Sequence, residues 1–213
     1  MTLSRWWPLS GYDGLRDELI AAYADPSRGY HDLRHLTEVL ERLGELERAG
    51  ADFDREPVLL AAWFHDSVYA GGGDDEELSA RWAERALPED VNAAEVARLV
   101  RLTATHRPDA DDRNGCALSD ADLAILAAPA ERYREYVASV RREYAHVSDA
   151  DFAAGRADVL ADLLAKETLF HTTHARGHWE AAARANVGAE LEGLRGLRPE
   201  PPSGAADRPD AAR

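Results

Sequence analysis

Cysteine is nearly missing from this 213-residue chain, in which Cys116 stands alone. A single thiol makes no internal disulfide and no closed thiolate zinc site, and it suits a reducing compartment. Lysine is as scarce, with Lys166 the sole example among 25 basic residues; the arginine excess reads as compositional bias. No stretch approaches the ~18 consecutive apolar residues of a membrane-spanning helix. The opening MTLSRWWPLSGYDG has no apolar segment long enough for a signal peptide, so a cytoplasmic location is expected. Positive charge is also short: 25 basic against 40 acidic residues leave a net charge of −15. A nucleic-acid duplex or an anionic membrane needs a basic face, so neither is an expected partner.

What is present is a helical pattern. Apolar residues make up 45% of the chain and charged residues 31%, the balance of a folded domain. From residue 11 to 196 the apolar positions recur at spacings of three and four, and strand-like alternation is nearly absent. The expectation is an all-α, single-domain helical bundle over 1–196, followed by a disordered Pro/Ala/Arg tail over 197–213. Helices are expected over 13–23, 32–49, from Pro57 to His65-Asp66, and over 76–87, 91–106, 119–127, 130–146, 149–167 and 178–195. The helix carrying Val58 to Phe64 is apolar nearly all round and is the expected centre of the bundle. The glycines 71–73 break the pattern, and the Asp- and Pro-rich stretch 107–115 reads as a loop.

The informative residues are polar groups on these apolar helices, where burial costs free energy unless a partner or a metal satisfies them. Four sets stand out. Tyr30-His31-Asp32-Leu33-Arg34-His35 places two histidines four apart on one helix face. His65-Asp66 closes the most apolar segment. His106 ends Leu102-Thr103-Ala104-Thr105, and Asp120-Ala121-Asp122 reads as two acids opening an apolar helix. A His-Asp dipeptide alone means little, and His31-Asp32 has an ordinary reading with Asp32 as a helix cap. His65-Asp66 has no such reading. His171, His174 and His178 are spaced like a helical metal clip but fall in a stretch that reads as loop and helix start.

Taken together, the order of these motifs resembles the HD superfamily of metal-dependent phosphohydrolases. It is most similar to a small bacterial branch known only as predicted phosphohydrolases. The similarity lies in Tyr30-His31…His35, Trp63-Phe64-His65-Asp66-x-Val68-Tyr69, Asp75-Glu76-Glu77-x-Ser79-Ala80, Thr103-x-x-His106 and Asp120-Ala121-Asp122-Leu123. Arg141-x-Glu143-Tyr144 and Phe152-x-x-Gly155-Arg156 extend it, so that it covers roughly residues 12–190. The resemblance implies that His35, His65, Asp66 and Asp122 are metal ligands. It prefers His35 to His31 and Asp122 to Asp120, although Leu123 departs from the basic residue often found there. Asp66 is the ligand that would bridge two ions.

Such a set of two imidazoles and two carboxylates suits a divalent ion, one or two per chain, and does not choose among Mn, Fe, Co, Mg, Ni and Zn. The implied activity is hydrolysis of a small phosphate ester, foremost a nucleotide, by metal-activated water. His106, Glu76 and Glu77 are candidates to assist the water, and His31, Arg141 and Arg156 to hold the substrate phosphate. The alternatives are a non-catalytic metal- or nucleotide-binding module and a di-iron oxidative enzyme on the same scaffold. Leucine-rich helix faces would also allow a homodimer.

Overall fold

A computed structural model of the chain describes residues 3–71 and 73–196, and the tail expected over 197–213 lies outside them. Among the described residues there are ten α-helices and no strand, as the apolar period predicts. They are α1 (Asp13–Tyr23), α2 (Leu33–Arg48), α3 (Arg55–Phe64), α4 (Asp75–Ala86) and α5 (Ala93–Leu102). There follow α6 (Arg113–Leu123), α7 (Ala130–Glu143), α8 (Asp149–Ala165), α9 (Thr173–His178) and α10 (Glu180–Gly196). Short 3-10 turns cover Leu3–Trp6 and Ala124–Ala127.

α3 is the centre, as its composition requires. Every residue from Val58 to Phe64 is buried, and the helix packs against α2, α4, α5 and α6. α2 presents a single apolar stripe to it, with Leu36, Val39, Leu40 and Leu43 buried. Asp32 starts α2 as expected, its carboxylate accepting the backbone N–H groups of Arg34 and His35. The C-terminal α10 packs on α8 and on the 3-10 turn after α6, which closes the bundle on the side away from α4.

Two expectations need correction. The 107–115 loop is shorter than its composition suggests, because α6 already begins at Arg113. Asp112 caps it by accepting the Gly115 N–H at 2.9 Å, and Asn114 is buried, bonded to Asp54 and Glu95. Asp120 and Asp122 therefore sit in the last turns of a helix, not at its opening. The helix expected over 178–195 is α10, but a short helix not expected, α9, precedes it, where the Thr172 side chain accepts the Ala175 N–H.

The loop before α2 docks tightly on α7. A Cβ placed on Gly29 would collide with the backbone carbonyl of Ser139 and the Glu143 side chain. Gly29→Ala is expected to cost about 1–3 kcal/mol through overpacking, read as a lowered urea midpoint with an unchanged slope.

Candidate metal centre

Three chain segments meet at one point. α2 brings His35, the end of α3 brings His65 and the adjacent Asp66, and the last turn of α6 brings Asp122. His35 and His65 are almost completely buried. His35 Nε2 lies 3.0 Å from His65 Nε2 and 3.2 Å from both Asp66 Oδ2 and Asp122 Oδ1. His65 Nε2 lies 2.9 Å from Asp66 Oδ2 and 3.6 Å from Asp122 Oδ1. The ligand atoms of His35, His65 and Asp66 fall within 4.8 Å of one another. His106 stands at the edge, with Nε2 3.5 Å from Asp122 Oδ2.

The tautomer of His65 follows from its surroundings. Its Nδ1 faces the Ala62 carbonyl at 2.8 Å. A carbonyl only accepts, so Nδ1 carries a hydrogen and Nε2 is the nitrogen turned toward the cluster. Opposite it, Asp66 Oδ2 is buried and has no hydrogen-bond partner, although two imidazole nitrogens lie within 3.2 Å. The ligand atoms of His35, His65 and Asp66 thus converge on a common point, with Asp122 Oδ1 set against the two imidazoles. Ligand atoms each about 2.0–2.2 Å from one divalent ion sit about 3 Å apart, and an orphaned carboxylate oxygen at that focus is what a cation satisfies. The residues present fit a divalent ion.

Charge agrees with the geometry. Burial opposes the charged form of His35, but Asp122 and Asp66 overcome it and raise its pKa to about 9. His65 is raised likewise against burial, chiefly by Asp66. Burial works against ionised Asp66 and Asp122 too, and the facing imidazoles hold both well below the ordinary carboxylate range. His106 is lowered by its burial.

A pH dependence follows with a definite sign. In chelator-treated protein, the raised His35 pKa means that its charged form stabilises the fold fully below pH 6.5, and this contribution is lost as the pH rises through about 9. A divalent ion needs neutral imidazoles, so the stabilisation it adds grows with pH. Thermal unfolding of chelated and metal-supplemented protein over this range should give diverging curves.

The supporting residues are mostly ones the sequence patterns do not single out. Arg28 donates to the carbonyls of His31 and Asp66, both at 2.7 Å, and of Ser67 at 3.1 Å, joining the loop before α2 to the loop after α3. Tyr23, fully buried on α1, accepts the Asp66 N–H at 3.1 Å. Glu143, at the end of α7, accepts the backbone N–H groups of Gly29, Tyr30 and His31 through Oε1 at 2.7–3.0 Å. Its Oε2 faces His31 Nδ1 at 2.8 Å and accepts the Tyr69 hydroxyl at 3.1 Å. The His31 ring is stacked on Tyr69, 4.3 Å between centroids. His31 is thus a fixed side chain beside the cluster, its Nε2 without a protein partner.

His106 reaches the cluster through a strained backbone. Its φ of +49° is the only positive value for a non-glycine residue among the described residues, a conformation that costs about 1 kcal/mol or more. Lys166 donates to its carbonyl at 3.0 Å, and Ser119 Oγ lies 3.2 Å from its Nδ1.

Other candidates are placed elsewhere. Asp120 is fully buried and accepts the His171 and Thr172 N–H groups at 2.8 and 2.7 Å, which makes it an anchor for the loop before α9. Glu77 is taken by the guanidinium groups of Arg101 and Arg81, at 2.6 and 2.7 Å, on the surface of α4. No hydrogen bond or ion pair joins Glu76 to the cluster among the described residues. In that motif Asp75 and Ser79 carry the structural load, holding the N–H groups of Ala70, Gly71 and Val68. Arg141 is consumed by the turn between α7 and α8, donating to Tyr144, Val147 and Asp149. Arg156 forms a buried pair with Glu190 at 2.8 Å. His174 pairs with Glu45 and its ring stacks on His178, 4.3 Å between centroids, but among the described residues the late histidines belong to no group that could hold a metal.

No family model matches this chain, and no curated protein or solved structure does. Among the described residues no helix is long and apolar enough to cross a membrane.

Proposed function

We propose that this chain is a metal-dependent phosphohydrolase of the HD type. It cleaves a small phosphate ester, with a nucleotide as the first substrate to assay, at a centre held by His35, His65, Asp66 and Asp122. The observation that carries this reading is the buried, partnerless Asp66 Oδ2 at the focus of two imidazoles. A divalent ion bound there supplies Lewis acidity to a water and to a phosphoryl oxygen.

The chain's own residues supply orientation and charge. Asp66 and Asp122 stay ionised, and the Ala62 carbonyl keeps the His65 ring in register. Arg28 and Tyr23 fix the Asp66 backbone at its C=O and its N–H, which positions the carboxylate. His31, held by Glu143 through Nδ1, leaves Nε2 for the substrate or its water, and His106 lies beside Asp122.

The test is phosphate release by purified protein supplied in turn with Mn, Fe, Co, Mg, Ni and Zn, against nucleoside monophosphates and generic phosphate esters. Release with at least one ion, abolished by chelation, is expected. Thermal stabilisation by a nucleotide with no release in any ion would replace the reading with that of a binding module. Oxygen consumption by an iron-loaded protein without phosphate release would replace it with an oxidative enzyme.

A further inference from the structure

Two cavities flank the His/Asp cluster, and they differ in chemistry. The larger, about 780 Å³, includes His35 and Asp122, and much of its wall is charged: Arg42, Arg48, Arg132 and Glu38 among others. The smaller, about 460 Å³, opens at His31 and lies between α7 and α8. The apolar part of its wall is Tyr136, Val140, Tyr144, Val147, Phe152 and Val159, three aromatic rings and three branched aliphatic side chains.

The charges in the smaller cavity are already answered. The Arg156 guanidinium is bonded to Glu190 and to the Tyr136 hydroxyl at 2.9 Å. Asp151 belongs to the start of α8, where the Ser148 hydroxyl donates to it at 2.7 Å. No cation is left there for a second phosphate, and the Asp151 carboxylate at the wall repels one. Val159 is one of only three large apolar side chains left exposed among the described residues, and it lies on this wall. The same cavity contains Gly155, whose missing side chain keeps it open: a Cβ there would meet nothing within 4 Å.

We infer that this cavity receives the organic group of the phosphate ester, and that this group is apolar and aromatic. The inference rests on the phosphohydrolase reading for the phosphate alone; the preference for an apolar aromatic group comes from the cavity wall. His31 marks the junction, since it lies beside His35, with ring centroids 5.6 Å apart, and also lines the cavity. A phosphate held at the cluster would direct its ester substituent past His31, toward the wall that the contacting rings of Tyr144 and Phe152 form, 5.9 Å between centroids. An aromatic ring there gains from burial and from ring contacts, whereas a polyphosphate would meet apolar walls and the Asp151 carboxylate.

The experiment compares binding of phenylphosphonate and methylphosphonate, which cannot be hydrolysed, to metal-loaded full-length protein by calorimetry. Phenylphosphonate is expected to bind about tenfold more tightly, the scale of one buried ring. Gly155→Phe places a ring at the cavity from a helical position where a Cβ meets nothing within 4 Å, and it should bring the affinity ratio toward one; metal content checks that the variant is folded. A ratio near one in the parent protein, or a ratio that Gly155→Phe leaves intact, overturns the inference. Selective phenylphosphonate binding by a protein that hydrolyses no phosphate ester would uphold the cavity and overturn the catalytic reading alone.

Discussion

Asp66→Asn is expected to lose the divalent ion and to lower phosphate release by about three orders of magnitude, roughly 4 kcal/mol of transition-state stabilisation. The substitution preserves shape and removes only charge and one ligand oxygen. Asp66 offers the orphaned Oδ2 and stands within 3.2 Å of both imidazoles, so no other side chain replaces it. Elemental analysis of parent and variant after reconstitution reads the first effect, and a phosphate assay the second. Asp120→Asn is the control. It loses charge two residues from Asp122, but its backbone partners lie in the loop before α9, so it should lose stability while keeping its metal. Equal and negligible metal in the parent and Asp66→Asn proteins would mean that the cluster is a buried polar network.

Glu143→Ala unfolds at markedly lower denaturant, with a loss of about 3–5 kcal/mol. The Glu143 carboxylate is 3% exposed and serves five donors: three consecutive backbone N–H groups, His31 and Tyr69. Truncation leaves all five without an acceptor in a part-buried loop. The same contacts set the pH dependence. Burial alone would raise the Glu143 pKa, but the His31 ring and the backbone N–H groups lower it from 4.5 to about 2. A carboxylate depressed in the folded state stabilises fully above its unfolded pKa, and this contribution, about 3 kcal/mol, is lost as the pH falls from 4.5 toward 2. Glu143→Gln should therefore flatten the acid limb of the stability curve. Because His31 loses its Nδ1 partner, the variant should also bind phosphonates more weakly while retaining its metal.

Much of the fold was legible because helices announce themselves locally. The apolar stripe of α2, the Asp32 cap and the unbroken run from Val58 to Phe64 each require only neighbouring residues to be recognised. The misplacement of α6 is instructive. Asp111, Asp112 and Asn114 read as loop residues, yet Asp112 is a cap and Asn114 is buried because Asp54 and Glu95, far away in sequence, satisfy it. Local composition carries no information about such partners.

The candidate ligands were legible for a different reason. A histidine or aspartate on an apolar helix is expensive to bury, so its presence at His35, His65 and Asp66 already demanded a compensating partner. That demand comes from composition and period alone, as do the all-helical class and the absence of an internal disulfide. Which acid of Asp120 and Asp122 joins the cluster depended on tertiary structure, since the two differ by half a helical turn and only the packing of α6 turns Asp122 toward His35. The fates of Glu77 and Arg141 were decided the same way, by Arg101 and Asp149 reaching them first. Arg28, Tyr23 and Glu143 were beyond sequence reading altogether, because their work is to bond backbone groups, and a sequence does not say which backbone groups will come within 3 Å.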